Sequence, residues 1–183
     1  MTVTKSVWGF IENRDHRVMR TLNSWRPPRW IRFWMLTATR MGDGWLWYTL
    51  GAILMGFGGS RGYAAFGAAG SAAIFGVLVF KVLKKLSHRP RPCQFQPHCW
   101  AKVLPPDQFS FPSGHTMTAF SIALVVSYFY PSLEWPMYFL AVSIGLSRIV
   151  LGMHFLSDVL AGAVLGSALG VGSIVAFAAY GLA

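Results

Sequence analysis

Residues 159–183 read VLAGAVLGSALGVGSIVAFAAYGLA, a stretch of 25 residues without a charged side chain. A helix needs about 20 mostly apolar residues to cross the hydrocarbon core of a bilayer, so this stretch is long enough to span one. Uncharged runs of 18 residues also lie at 63–80 and 116–133, and with their flanks both are long enough too. A soluble core accommodates one such run but hardly several, so we predict a membrane protein.

Two shorter apolar segments extend this prediction to a helix bundle. Residues 45–59 begin with aromatic side chains that suit a membrane interface, and residues 135–153 are interrupted only by Arg148. The composition agrees, since 12% of the residues are charged, against about 25% in soluble domains. We predict an all-α, polytopic membrane domain at 44–183 with five transmembrane helices, or six if residues 30–41 also cross. The five predicted helices lie at 45–60, 62–86, 114–131, 135–152 and 155–180.

Residues 1–43 form an N-terminal segment in which aromatic and basic side chains alternate. Aromatic rings favour the headgroup layer of a membrane, and arginines favour anionic lipids. We therefore predict an amphipathic segment at the membrane surface, broken at Pro27-Pro28, with anionic lipids as partners. The side chains concerned are Trp8, Phe10, Trp25, Trp30, Trp34, Arg14, Arg17, Arg20, Arg26, Arg29 and Arg32.

The net charge of +10 is also compatible with nucleic-acid binding. However, the charge lies at helix ends, in the N-terminal segment and in one loop, while the rest of the chain is lipid-soluble. We therefore exclude nucleic acid as a partner.

A polar loop at 87–112 separates the second and third predicted helices of the bundle. It contains six prolines, and no helix persists through so many. Cys93 and Cys99 both lie in this loop, and the sequence leaves open whether they form a bridge or remain two free thiols. A metal site at the cysteines is disfavoured, because a fourth ligand is missing.

Ionisable residues just before the last apolar stretch indicate a functional site. His154 and Asp158 are four residues apart, so on a helix they share one face. A carboxylate that binds one imidazole nitrogen leaves the other free as a nucleophile; the alternative is a polar pair at a helix end. Arg148 lies within apolar sequence, where an unpaired guanidinium is costly. Its anion is either Asp158 or a bound phosphate, which a guanidinium binds bidentately.

The residues Ser113-Gly114-His115 come directly before the apolar run at 116–133. Ser113 suits an N-cap, and Gly114 allows the backbone to approach a ligand closely. The N–H groups at a helix start favour anions, and His115 on the first turn is placed to protonate a leaving oxygen. Taken alone, the motif also fits a plain helix cap.

Basic residues cluster where the loop begins. Lys84 and Arg91 have an ordinary interpretation as contacts to anionic lipid headgroups. The prolines beside Arg89 and Arg91 stiffen the backbone and favour a more specific role. We expect Arg89 to act as an additional cation that affects headgroup preference.

Together the three motifs resemble a known family signature. Lys84 is followed by six residues and Arg91-Pro92, then come Pro112 to His115, then Ser147-Arg148 with five residues to His154 and three more to Asp158. In order, type and spacing this set is similar to the motifs of the type 2 phosphatidic acid phosphatase superfamily, which also includes the vanadium-dependent haloperoxidases. The resemblance covers residues 84–158 and departs from the signature at no motif residue.

The resemblance implies a phosphatase mechanism that needs no metal or other cofactor. His154 attacks phosphorus and forms a phospho-histidine, Asp158 orients His154, and His115 protonates the leaving group and later activates water. The phosphoryl oxygens are bound by side chains and one backbone N–H: Lys84, Arg91, Ser113, Gly114 and Arg148.

We predict an integral-membrane lipid phosphatase that hydrolyses a terminal phosphate monoester or pyrophosphate. Phosphatidate, phosphatidylglycerophosphate, undecaprenyl pyrophosphate and a lipid A phosphate remain equivalent candidates, and oligomeric state is left open. The alternatives are a lipid phosphotransferase on the same site and a non-catalytic lipid-phosphate binding or transport protein. We expect the cell (inner) membrane as the location. The active site is expected to face outward, as in the superfamily's bacterial members, although the positive-inside rule with five helices puts the loop at 87–112 in the cytoplasm.

Overall fold

The structure is a computed structural model that describes residues 2–95 and 107–181. Within these ranges the regular structure is helical apart from one isolated bridge between Pro90 and Phe109. The helices are α1 Thr2–Ser24, α2 Arg29–Met41, α3 Trp45–Phe57, α4 Gly59–Ser87, α5 Pro92–Phe95, α6 Gly114–Phe129, α7 Glu134–Val150 and α8 Leu156–Ala179. A 3-10 turn at Pro131–Leu133 joins α6 to α7.

The predicted all-α class is confirmed for the described ranges. Helices α3, α4, α6, α7 and α8 occupy the five predicted positions. By length and composition, α4 and α8 are the described helices that meet the requirement for a membrane span, while α3 and α6 are shorter apolar helices. The number of crossings therefore stays a prediction.

The outer surface of the bundle is apolar. In the most apolar 18-residue stretch of each helix, only 22% of α4 and 28% of α8 is buried inside the protein. The core helix of a soluble protein buries most of such an apolar stretch. These two helices instead expose large apolar side chains on the outside of the bundle, for example Ile74 and Val164. An apolar surface of this extent is stable in contact with lipid rather than with water.

Helix α6 lies at the centre of the bundle and packs against α4, α7 and α8. Its closest neighbour is α8, whose glycines at 162, 166 and 170 face it. A Cβ on Gly166 would lie 2.2 Å from the backbone oxygen of Met117, and one on Gly162 would lie 2.7 Å from that of Ser113. The glycine stripe therefore serves close packing between helices of the same chain.

The chain turns so that several helix ends meet at one end of the bundle. The N–H of Ser113, before α6, donates to the carbonyl of Asp158 in α8 over 3.1 Å. The side chain of Arg91, after α4, donates to the carbonyl of Met153, after α7, over 2.7 Å. All three predicted motifs are therefore brought to the same end.

The N-terminal segment is broken at the predicted place, since α1 ends at Ser24 and α2 begins at Arg29. Trp30 and Phe33 are exposed, as expected for a segment at a membrane surface. Its other face packs into the bundle, because Met35 joins an apolar cluster with Met153. The domain boundary after residue 43 stays a prediction, and contacts such as that between Met35 and Met153 join the two sides of it.

Candidate active site

A cavity of about 880 Å³ opens among the helix ends and continues between α3, α4 and α6. Its walls along these helices are mostly apolar and extend from Gly114 to Val126 on α6, a helical rise of roughly 18 Å. The residues that form its polar end are Asp43, Lys84, Arg91, Asp107, Gly114, His115, Arg148 and His154.

His154 lies in a tight turn between α7 and α8. Gly152 has a φ of +68°, which an L side chain rarely adopts, and the carbonyl of Arg148 accepts the N–H groups of Met153 and His154 at 3.0 and 3.1 Å. The ring Nδ1 lies 2.6 Å from the carbonyl oxygen of Ser110, so Nδ1 carries the proton. Nε2 therefore has a free lone pair, which accepts from Nη1 of Arg91 at 3.2 Å.

Asp158 sits directly behind this imidazole. Its Oδ2 is 3.7 Å from Nδ1 of His154 and accepts the N–H of Phe155 at 2.8 Å. Its Oδ1 accepts from Arg89 at 2.6 Å. The predicted orienting group is therefore adjacent to His154, but the direct acceptor of the Nδ1 proton is Ser110, which the sequence did not indicate.

The pKa of His154 reflects its burial. Desolvation in this closed turn lowers the pKa to about 3, the charges of Arg148 and Arg91 act in the same direction, and Asp158 acts against them. The imidazole is therefore neutral near pH 7, and its Nε2 is available for attack.

Arg91 and Lys84 share one carboxylate that the sequence analysis missed. Arg91 donates through Nη2 to Oδ1 of Asp107 at 2.7 Å and through Nε to the carbonyl of the same residue at 2.9 Å. Lys84 forms a short ion pair with Oδ2 of Asp107. Partial burial acts to raise the pKa of Asp107, but the hydrogen bonds from Lys84 and Arg91 outweigh it and lower that pKa below its usual value.

Arg148 is buried, with 2% of its surface exposed, and it lines the cavity. Its Nη1 donates to Oγ1 of Thr39 at 2.5 Å, and its Nε has no partner among the described residues. The alternative pairing with Asp158 is not formed, since that carboxylate binds Arg89 instead. Among the described residues Arg148 forms no direct ion pair with a carboxylate, and a buried guanidinium in that state is costly, so the site has the character of an anion-binding site.

His115 lies on the first turn of α6 and also lines the cavity. Its Nε2 is 2.9 Å from Oδ1 of Asp43, in the turn between α2 and α3. Gly42 permits this approach, because a Cβ there would lie 2.8 Å from the imidazole ring. This hydrogen bond fixes the orientation of the ring at the entrance to α6.

Ser113 and Gly114 differ in their access to the cavity. Gly114 lines it, and a Cβ there would lie 2.9 Å from the ring of Phe80. Ser113 is buried as the N-cap residue of α6, and its hydroxyl is 2.8 Å from that of Thr116. A direct phosphate contact of Ser113 therefore stays a prediction.

Arg89 does not line the cavity. Its guanidinium binds Asp15 and Asp158, both at 2.6 Å, and lies over the ring of Phe155. The expectation that it affects headgroup preference therefore has no basis in the structure. Cys93 lies on α5, whereas Cys99 falls outside the described residues, so the question of a bridge stays open.

Comparison with known families agrees with this arrangement of motifs. The family model of the PAP2 superfamily matches residues 64–181, well over half of the chain. The chain belongs to the PAP2 superfamily. This confirms the family that the motifs at 84–158 predicted.

Known PAP2 proteins similar to this chain cover different shares of it. Phosphatidylglycerophosphatase B of Bacillus subtilis (strain 168) is 38% identical over 106 residues, which are 51% of this chain and 49% of that protein. The chain thus spans about half the length of this curated relative. The crystal structure of Aquifex aeolicus LpxE has a TM-score of 0.72 at 28% identity and covers 86% of this chain and 93% of its own.

A second crystal structure is that of a transmembrane PAP2 type phosphatidylglycerolphosphate phosphatase from Bacillus subtilis. It has a TM-score of 0.68 at 27% identity and covers 90% of this chain and 84% of its own. Both structural matches extend over more of the chain than the family model does.

Most of the carboxylates at this PAP2 site were missed by the sequence analysis. Asp15, Asp43 and Asp107 belong to none of the three motifs, yet each binds a motif residue or its neighbour. A signal was present in the composition, because the sequence has only six acidic residues against 16 basic ones. In so basic and apolar a chain, each carboxylate is a candidate partner for a buried cation.

Proposed function

We propose that the chain is an integral-membrane lipid phosphatase that removes a terminal phosphate through a phospho-histidine and needs no metal. The observation that carries this proposal is the placement of Arg148. It is buried in the cavity that also holds both histidines, Lys84 and Arg91, and it forms no ion pair with a carboxylate of the described residues. A phosphoryl group supplies the missing anion.

The proposed chemistry assigns a role to each of these groups. Nε2 of His154 attacks phosphorus, and the bond from phosphorus to the leaving oxygen breaks as His115 donates a proton to that oxygen. Arg148, Arg91 and Lys84 stabilise the charge on the non-bridging oxygens, which is the main contribution a protein makes to phosphoryl transfer. His115 then takes a proton from water, which attacks the phospho-histidine and releases inorganic phosphate.

The apolar part of the cavity indicates a lipid substrate. It begins at the polar end and continues between α3 and α6, where it is lined by side chains such as Leu54 and Ile122. An acyl or prenyl chain fits such walls, whereas a soluble phosphate ester gains nothing from them. The relatives named for phosphatidylglycerophosphate support the same substrate class.

The test is release of inorganic phosphate by detergent-solubilised protein from a panel of the four candidate lipids. We expect His154→Ala and Arg148→Ala to lower kcat/KM by at least about 100-fold, because each removes a group that acts on the transition state. The control is Arg61→Ala, which removes an exposed guanidinium at the first turn of α4. Equal rates in the wild type and both site variants would refute the proposal.

The covalent step has its own test. Wild-type protein is mixed with labelled substrate and quenched in base during turnover, and the label should be found on His154 as an acid-labile, base-stable adduct that His154→Ala does not form. Absence of the adduct in the wild type during turnover would contradict the phospho-histidine. Transfer of the label to an added alcohol rather than to water would identify a phosphotransferase.

We further propose that the active site faces the outer side of the cell membrane. The N–H of Cys93 donates to the carbonyl of Gly152 at 3.2 Å, so Cys93 reports the side on which the turn of His154 lies. In a Cys99→Ser variant, where Cys93 is the remaining cysteine, a membrane-impermeant maleimide should react in intact cells. Reaction only after permeabilisation would place the site in the cytoplasm.

A further inference from the structure

A cluster of charged groups lies behind His154, on the side away from the cavity, and joins three distant parts of the chain. Arg89 follows α4, Asp15 lies in the middle of α1, and Asp158 is in the first turn of α8. The guanidinium bridges the two carboxylates, with Nη2 at 2.6 Å from Oδ2 of Asp15 and Nη1 at 2.6 Å from Oδ1 of Asp158.

The two carboxylates are buried more deeply than ordinary acidic residues. Asp15 is 3% exposed and Asp158 is fully buried. Burial of charges costs several kcal/mol for each ion unless they are paired and hydrogen-bonded. Arg89 meets this requirement for both at once, and only a planar guanidinium has the geometry to bind two carboxylates in this way.

Asp15 also caps the helix that carries Asp158. The N–H of Ser157 donates to Oδ1 of Asp15 at 3.1 Å, and the Ser157 hydroxyl donates to Oδ2. The first N–H groups of a helix lack partners within the helix, and here one of them is bound by a carboxylate from a separate helix. His16 contacts the rings of Phe95 and Phe155 at 5.0 and 5.2 Å, which holds α1 in place at this point.

Two connections lead from this cluster to the attacking imidazole. Asp158 lies 3.7 Å from Nδ1 of His154. The carbonyl of Arg89 accepts the N–H of Ser110 at 2.8 Å, and the carbonyl of Ser110 accepts the Nδ1 proton at 2.6 Å. Arg89 therefore holds both groups that face Nδ1 without touching the imidazole itself.

We propose, on the basis of the proposed phosphatase function, that Asp15 and Arg89 are positioning residues for His154 and that α1 is a working part of the active site. When Nε2 bonds to phosphorus, the imidazole gains positive charge, and Asp158 stabilises it. Asp15 offsets the charge of Arg89, so that Arg89 fixes Asp158 without neutralising it. Asp15 and the rest of α1 lie outside the range 64–181 matched by the family model, whereas Arg89 lies within it.

The experiment measures kcat and KM of the full-length protein on the lipid phosphate that the substrate panel identifies. The variants are Asp15→Asn, Arg89→Gln and the double variant. We expect each single change to lower kcat about tenfold with KM within about twofold, because ground-state binding of phosphate is untouched. The double variant should match Arg89→Gln within about twofold, since coupled residues do not act additively.

Matched controls separate positioning from general effects. Glu12→Gln removes an exposed carboxylate from the same helix and should leave kcat within about twofold of the wild type. Arg89→Lys keeps the charge but loses the planar guanidinium that binds both carboxylates. Its kcat should therefore lie between that of Arg89→Gln and that of the wild type. Rates are normalised to the folded, monodisperse fraction from size-exclusion chromatography, so that a loss of folded protein is not counted as a loss of turnover.

The outcomes distinguish this inference from the proposed function. If the wild type releases no phosphate from any lipid, the proposed function fails. If His154→Ala is inactive but Asp15→Asn keeps wild-type kcat per folded molecule, the function stands and the inference fails. Equal losses in Asp15→Asn and Glu12→Gln, or strictly additive losses in the double variant, would likewise overturn the inference.

Discussion

The surroundings of His154 suit the role of nucleophile that we propose for it. It is 3% exposed, its Nδ1 proton is held by a backbone carbonyl, and its Nε2 faces a guanidinium in the cavity. Because burial lowers its pKa to about 3, the native state excludes a proton that the unfolded chain binds below its ordinary pKa of about 6.5.

This difference predicts an acid-dependent loss of stability. Between pH 6.5 and 3 the unfolded state binds more protons than the native state, so the free energy of unfolding falls as pH falls, by up to about 1.4 kcal/mol per pH unit. We expect Tm in detergent to drop more between pH 7.5 and 5.5 in the wild type than in His154→Gln, which cannot titrate. Equal drops in both proteins would show that His154 does not contribute to this pH dependence.

Asp107 binds the same cations that we propose for the phosphoryl group. It binds Lys84 and Arg91, and because its pKa lies below the usual range it stays ionised near neutral pH. An incoming phosphate must therefore share or displace these contacts.

Removing this charge should tighten the binding of anions. We expect Asp107→Asn to lower the inhibition constant for inorganic phosphate about fivefold, since one unit charge at about 4 Å in water amounts to roughly 1 kcal/mol. The measurement is competitive inhibition of lipid hydrolysis by orthophosphate, with Glu134→Gln as an exposed control of equal charge change. A weaker inhibition by phosphate would mean that Asp107 mainly holds Arg91 in position.

At the level of helices, the packing of α8 on α6 determines where the motifs meet. The glycines of α8 let the two backbones approach closely, and the same two helices carry His115 and Asp158. A side chain at this contact would push apart the helices that carry His115 and Asp158.

Gly166→Ala should therefore destabilise the protein, because its Cβ would lie 2.2 Å from the backbone oxygen of Met117. We expect a loss of about 1–3 kcal/mol, as for other overpacked contacts, seen as a lower Tm in detergent. Gly172→Ala is the matched control on the same helix, since its Cβ meets nothing within 4 Å. It should be neutral or slightly stabilising, because alanine favours a helix more than glycine does. Equal Tm changes in the two variants would contradict the packing argument.

At the scale of the whole molecule, the cavity connects the proposed phosphate site with the interior of the bundle. Its apolar walls come from the consecutive helices α3 and α4 and from α6, and its polar end comes from segments spread between Asp43 and His154. We therefore expect substrate selection to depend on the length of the lipid's hydrocarbon chain as well as on its phosphate group.

Gly70→Leu tests this dependence. Gly70 lines the cavity and has nothing within 4 Å of its Cβ position, so a leucine there narrows the space without disturbing the packing. We expect kcat/KM to fall about tenfold for a long-chain lipid phosphate, from the loss of one to two kcal/mol of apolar contact, and to stay within about twofold for a short-chain analogue. The control is Gly56→Leu on α3, an exposed glycine outside the cavity lining. Equal losses on both substrates would show that the lipid chain lies elsewhere.

The amino-acid sequence by itself determined the helical class, the places of the five bundle helices and the residues of the three motifs. Hydropathy and proline content act along the chain, so runs such as 159–183 reveal helices without knowledge of their neighbours. The motif spacing revealed the family for the same reason, because His154 and Asp158 are close in sequence.

Only the tertiary structure decided the partners of these residues. The side chains of Asp15 and Arg89 are hydrogen-bonded although they are 74 residues apart in sequence. The same holds for Asp43 and His115, which are 72 residues apart, and for Thr39 and Arg148, which are 109 residues apart. Such pairs depend on how each helix is rotated and how closely it packs, and a nearly uniform apolar helix carries little periodicity that specifies its rotation. The sequence therefore did not reveal the carboxylates that pair with the site's cations and histidines. It did reveal the groups that we expect to act on phosphate.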